Sequence, residues 1–259
     1  MMNTITRMVI AAGATLLTGA SGAHAAETLH VYGPGGPLPA MREAAATFGK
    51  TAGVDVQVTA GPTPQWLPQA KQDADLIFSG SEVMMSDFIA AMPDQIDPAT
   101  VTPLYLRPSA VLVRPGNPRH IAGIADLLHP GHRILVVNGA GQQGLWEDVA
   151  GRLGDLASVK AFRANIAVVA KNSAEAKQAW TEDKTLDAWL IWGIWQVANP
   201  TLADQVAVEP EYRIYRDTGL ALTRRGETRP GAKQFAAFLA SPEGARIFAK
   251  WGWMAPESH

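Results

Sequence analysis

Five short segments of the 259-residue chain set glycine, proline, hydroxyl and amide residues after an apolar run and ahead of a helical pattern. They are residues 33–37 (Gly33-Pro34-Gly35-Gly36-Pro37), 61–66 (Gly61-Pro62-Thr63-Pro64-Gln65-Trp66), 79–82 (Ser79-Gly80-Ser81-Glu82), 139–144 (Gly139-Ala140-Gly141-Gln142-Gln143-Gly144) and 172–173 (Asn172-Ser173). A loop in that place leaves the first N–H groups of the next helix without intrahelical partners. Their partial positive charge makes an anion site that needs no basic side chain. Glycine lets a ligand reach the backbone because no Cβ stands in the way. The chemistry to expect is capture of a small anion by amides and hydroxyls.

Each segment also has a plainer reading. Residues 33–37 can be a tight turn. Ser79-Gly80-Ser81-Glu82 fits a capping box, in which Ser79 caps the helix, Glu82 reaches back, and Ser81 stays free to face a ligand. Asn172 and Ser173 are ordinary cap residues. Residues 139–144 match G-x-G-x-x-G after a buried strand, the dinucleotide fingerprint. No Asp or Glu lies between Asp155 and Glu175, so the acidic residue that would hold the ribose is missing. The motif therefore reads as an anion loop without a nucleotide, and no cofactor is expected. Trp192 and Trp195, flanking Gly193, either pack in the core or wall a cleft and donate an indole N–H. Tyr32, with a polar tip at the end of the first strand, divides in the same way.

Other functional classes find little support. The 22 basic and 24 acidic residues nearly cancel, leaving no electrostatic footprint for a nucleic acid. The absence of cysteine removes disulfides, thiolate metal sites, a cysteine nucleophile and a cysteine lipid anchor. There is no H-E-x-x-H or G-x-S-x-G, and His30, His120, His129 and His132 have no ligand partner at metal-binding spacing. No catalytic or metal site is expected.

Apolar runs alternating with helical patterns set these loops in an α/β framework. Strands are expected at 29–32, 54–58, 74–78, 110–113, 134–138, 166–170, 188–192 and 206–208. Helices are expected at 38–50, in a short stretch after 61–66, from Val83, at 124–128, after 144 as far as Leu153, at 174–181 and at 233–251. The proline cluster from Pro93 to Pro108 interrupts the rhythm, and residues 211–216 read as a second crossing between lobes. Ahead of all this, Arg7, the apolar run 8–17 and Ala23-His24-Ala25 form a secretory signal with an A-x-A site. That run is too short to span a bilayer. Cleavage after Ala25 is expected to release an unanchored periplasmic protein.

Residues 31–37, the Ala-rich helix after them, residues 59–66 and residues 74–82 together resemble the accessory colonization factor C (AcfC) family. That family is similar to molybdate/sulfate-type periplasmic solute-binding proteins of ABC transporters. The resemblance implies a type II periplasmic-binding-protein fold, two α/β lobes joined by two hinge crossings. Residues 26–106 and 217–259 would form lobe 1, and 107–216 lobe 2. It implies a small oxyanion, sulfate- or molybdate-like, held in the interlobe cleft by hydroxyls and amides. By position the family's first-strand loop falls on Gly33 to Gly36, its serine on Ser79 or Ser81, and its later loops on Gly139 to Gly144 and Asn172-Ser173. The ligand residues expected are Tyr32, Gly33, Gly35, Gly36, Thr63, Ser79, Ser81, Gly139, Gly141, Gln142, Gln143, Asn172 and Ser173. Where molybdate binders place a tyrosine, this chain has Trp192 or Trp195. The implied partners are an ABC permease or a chemoreceptor, with the protein itself a monomer. A periplasmic hydrolase of anionic esters and a ligand-sensing or adhesion accessory protein are the alternatives.

Overall fold

The alternation resolves into strands and helices in a computed structural model that describes residues 27–255 apart from 140. The export signal expected over 1–25 lies outside the described residues. The first stretch runs β1 (Thr28–Gly33), α1 (Leu38–Ala52), β2 (Asp55–Ala60), α2 (Thr63–Asp73), β3 (Leu76–Phe78) and α3 (Glu82–Ala91). Then come β4 (Thr102–Val113), α4 (Ile124–Leu127), β5 (Ile134–Val137), α5 (Leu145–Ala150), α6 (Leu156–Asn165), β6 (Ile166–Ala170), α7 (Ser173–Glu182), β7 (Ala188–Trp192), α8 (Ile194–Ala198) and β8 (Asp204–Ala207). The chain closes with β9 (Tyr215–Leu222), α9 (Arg224–Glu227), α10 (Pro230–Leu239) and α11 (Pro242–Lys250).

The strands form one curled sheet in the order β2-β1-β3-β9-β4-β7-β5-β6, with β8 also paired to β4. β1 pairs in parallel with β2 and β3, and β5 in parallel with β6 and β7. Two antiparallel strands link these parallel halves. β4 pairs with β9 from Thr102 to Pro108, then changes partner and pairs with β7 and β8 from Ser109 onward. This is the expected α/β class.

The proline cluster proves to lie partly within β4, which was expected only at 110–113. Pro103 sits at a register shift, and Pro108 is the last residue before the change of partner. Both are places where a missing N–H interrupts no regular ladder. β9 was not expected as a strand, and residues 211–216 lead into it. Helix α6 was also missed; Asp155 caps it by accepting from the amides of Ala157 and Ser158. The single closing helix expected at 233–251 is two helices. Ser241 caps the second and Pro242 occupies its first turn, so the chain must turn between them.

The closing helices return to the first half through charge as well as packing. Asp75, fully buried, accepts from Arg225 at 3.0 Å and Arg229 at 2.7 Å, and also from the His30 amide at 2.8 Å. Arg229 reaches Glu27 at 2.9 Å, and Lys250 reaches Glu43 on α1 at 2.9 Å. On α1 the apolar residues Met41, Ala44, Ala45 and Phe48 recur at helical spacing and are buried, as expected. Phe48 packs on Phe235 and Phe238 of α10, with ring centroids 5.2 and 5.6 Å apart. A smaller apolar cluster of Tyr32, Trp66, Met84, Met85 and Phe88 fixes α2 and α3 against the sheet.

Candidate functional site

The loops that end β1, β2, β3, β5 and β6 meet around one cavity of about 90 Å³. That is small beside the roughly 300 Å³ and above of drug-sized pockets, so it suits a small solute. Gly35 and Gly36 line it from the first loop, Thr63 from the second and Gly80 from the third. Gln142 follows from the fourth loop, and Asn172 and Ser173 from the fifth. Trp192 and Trp195, at the end of β7 and in α8, close the far wall.

The opposing walls touch. A Cβ built on Gly141 would lie 3.2 Å from Met84 Cε, 3.4 Å from the Gly80 carbonyl oxygen and 3.5 Å from Ser81 Oγ. With φ at +79° as well, that position suits glycine alone. On the other side, a Cβ on Gly36 would lie 3.2 Å from Arg107 Nη1 and 3.5 Å from Ile194 Cδ1.

Several helices begin at the cavity. Asn172 caps α7, as expected, its side chain accepting from the Glu175 amide at 2.9 Å. For α3 the expectation was wrong. Ser81 is the cap, accepting from the Met84 amide at 3.1 Å, and Glu82 is the first helical residue rather than the reaching partner. Ser79 is fully buried; its hydroxyl accepts from the Gly219 amide at 3.0 Å and its carbonyl accepts from the Thr218 hydroxyl at 2.7 Å. It fastens β3 to β9, so capping is left to the next serine.

Other expected residues also fall outside the cavity. Tyr32 turns its hydroxyl the other way, donating to Asp73 at 2.7 Å, and stacks on Trp66. Burial and that bond to a carboxylate raise its pKa. Gly33 and Gly139 are packing glycines. A Cβ on Gly33 would lie 2.5 Å from Phe78, and one on Gly139 would lie 2.7 Å from the Lys171 carbonyl oxygen. Gln143 is exposed and does not line the cavity.

A site of amides and hydroxyls alone was expected, but the cavity also holds a cation. Arg107 is 3% exposed and is the single charged residue among the described residues lining the cavity. It donates to the Gly80 carbonyl, and its guanidinium lies 4.7 Å from the Trp192 ring centroid and 5.1 Å from that of Trp253. Its Nε has no partner among the described residues. Burial draws its pKa down to about 9 against the opposing pull of Asp217 and Glu82, so it is still charged at neutral pH. Asp217 is pushed up to about 6 by burial and by Glu82, with Arg107 acting against them. The signal missed in the sequence is a lone arginine in an otherwise uncharged, mainly apolar run, Tyr105 to Val113, where a buried charge needs a reason.

Residues 29–254 match the family model of bacterial extracellular solute-binding proteins. The chain belongs to that family. Among solved structures, this solute-binding protein is similar to PEB3 from Campylobacter jejuni, with TM-score 0.82 and 33% identity over 88% of this chain and all of that one. A PEB3 structure with L-phospholactate bound gives TM-score 0.83 and 32% identity over the same shares. The periplasmic molybdate-binding protein of Azotobacter vinelandii shares the fold, with TM-score 0.67 and 18% identity over 88% of this chain and all of that one. These neighbours are periplasmic-binding-protein folds, and the same fold describes the curled sheet here. No curated protein matches the sequence. Among the described residues no helix is long and apolar enough to cross a membrane.

Proposed function

We propose that this solute-binding protein captures a small oxyanion, of sulfate or molybdate size, in the cavity between its two sheet halves. The anion lies against Arg107 and the helix-starting loops. The observation that carries this reading is the convergence of five separate loops and one buried arginine on a single small cavity. Anionic oxygens suit unpaired donors, and Arg107 Nε and Trp192 Nε1 have no partner among the described residues. PEB3 carries L-phospholactate in one structure, and the Azotobacter protein is named for molybdate, which supports an anionic solute.

Residues 26–106 and 217–259 act as one lobe and 107–216 as the other, with hinge crossings near Arg107 and Arg216. An anion bridging both lobes favours the closed arrangement. The protein works in the periplasm as a monomer without catalysis and hands its solute to an ABC-type permease or a chemoreceptor. A hydrolase reading is not favoured, since no histidine, carboxylate or lysine lies among the described residues lining the cavity to serve as a base.

A thermal-shift series with sulfate, molybdate, tungstate, phosphate and small carboxylates tests the reading. A ligand at a hundredfold excess over its Kd stabilises the folded state by roughly 2.7 kcal/mol. At least one oxyanion is expected to raise the melting temperature in a saturable way. A flat response to the whole series would remove the proposal.

A further inference from the structure

Gln142 is 2% exposed and lines the cavity. Its Nε2 donates to Ser173 Oγ at 2.7 Å. Its Oε1 is buried and has no partner among the described residues. Arg107 and Trp192 line the same cavity, and Arg107 Nε and Trp192 Nε1 have no partner among the described residues. A fully ionised oxyanion can satisfy those donors, but against Gln142 Oε1 it sets acceptor facing acceptor.

We infer that Gln142 makes the cavity selective for a protonated oxyanion, one that offers an O–H to Oε1 while its ionised oxygens meet Arg107 and Trp192. This rests on the oxyanion reading above and adds the class of anion. Ser173 acts with Gln142. Its hydroxyl accepts from Nε2, and once its proton is given to an ionised oxygen it can only accept from the amide, which keeps the NH₂ group toward Ser173. A buried polar group left facing the wrong partner costs roughly ten- to a hundredfold in affinity.

At neutral pH, inorganic phosphate and arsenate each retain an O–H, whereas sulfate and molybdate retain none. Titration of the purified protein with the four anions, followed by tryptophan fluorescence because Trp192 and Trp195 line the cavity, is the test. Phosphate and arsenate are expected to bind at least about tenfold more tightly than sulfate and molybdate. In Gln142→Leu the preference should shrink to within about threefold, with phosphate losing its O–H acceptor and sulfate losing the opposing oxygen. Should Gln142→Leu fail to fold, Ser173→Ala serves instead, since it frees the amide to rotate and should improve sulfate binding relative to phosphate. Sulfate bound as tightly as phosphate by the wild type would overturn this inference and leave the oxyanion reading standing. A preference that persists in both variants would overturn the assignment to Gln142. Failure of all four anions to bind would overturn the underlying reading as well.

Discussion

The Arg107 guanidinium lies 4.7 Å from the centroid of the Trp192 ring; both residues line the same cavity, and each keeps a buried N–H without a partner among the described residues. The stacked indole takes one side of the cation, and the Gly80 carbonyl accepts from its Nη2. Desolvating a cation is costly, and here an anion would complete its environment.

Trp192→Phe separates the two roles of the indole. A phenyl ring keeps a surface beneath Arg107, and no hydrogen bond within the described protein is lost with the N–H. Stability should fall by about 1–2 kcal/mol for the smaller ring, and oxyanion affinity by roughly tenfold for the lost donor. Urea unfolding and equilibrium dialysis on the same variant read the two effects separately.

Gly33 and Gly35 stand two residues apart in one loop and should respond oppositely to alanine. A Cβ on Gly33 would overlap the Phe78 side chain and carbonyl at 2.5 Å, whereas one on Gly35 would meet nothing within 4 Å. Gly33→Ala should cost at least about 2 kcal/mol of stability. Gly35→Ala should leave stability within about 0.5 kcal/mol while weakening oxyanion binding, because Gly35 lines the cavity. Paired denaturation curves and ligand titrations check both.

Gly141→Val targets the contact between the opposing walls. The residue has φ at +79° and faces Met84 and the Gly80 carbonyl, so a branched side chain meets both strain and obstruction. A cost of about 1–3 kcal/mol is expected. The melting-temperature rise caused by an oxyanion should also disappear, since the walls can no longer meet around it. A variant that keeps the full ligand-induced rise would show that this contact is not part of closure.

Asp217 carries a pH signature. Its folded-state pKa, about 6, lies above its ordinary value of 3.8 because burial and Glu82 disfavour the charged form. The neutral form is therefore harmless to the fold at low pH. The stability it preserves is fully present below about pH 4 and is lost as pH rises through about 6. Asp217→Asn should match the wild type at about pH 4 and exceed it at about pH 8 by on the order of 1–2 kcal/mol. Chemical denaturation at the two pH values measures the gap, and a gap of equal size at both would count against this electrostatic cause.

The strands that bury both faces were the most legible part of the fold. Ile134 to Val137 and Ala188 to Trp192 are unbroken apolar runs, and they form β5 and β7. The helix-starting loops were legible as a group because Gly, Pro, Ser and Asn mark strand ends whatever the tertiary structure. What was hidden depended on partners far away in sequence. Ser79 and Ser81 are equivalent on paper, and only the Gly219 amide of β9 decides which is tied down. Tyr32 ends its strand as a ligand residue would, yet Asp73 draws its hydroxyl to the far side. Arg107 was invisible as a site residue because strand β4 looked broken by its prolines. Its burial follows from the change of partner at Pro108 and Ser109.

The most direct test of anion capture at Arg107 is calorimetric titration of the wild-type and Arg107→Met proteins with phosphate, arsenate, sulfate and molybdate. Arg107→Met leaves Asp217 without the cation that lowers its pKa, so a loss of stability is expected. Titrations are run well below the variant's melting temperature, with folding checked by circular dichroism. The wild type should give saturable one-to-one heat with at least one anion, and Arg107→Met should bind that anion at least about a hundredfold more weakly. Equal affinity in the two proteins, or no heat from any anion with the wild type, would contradict it.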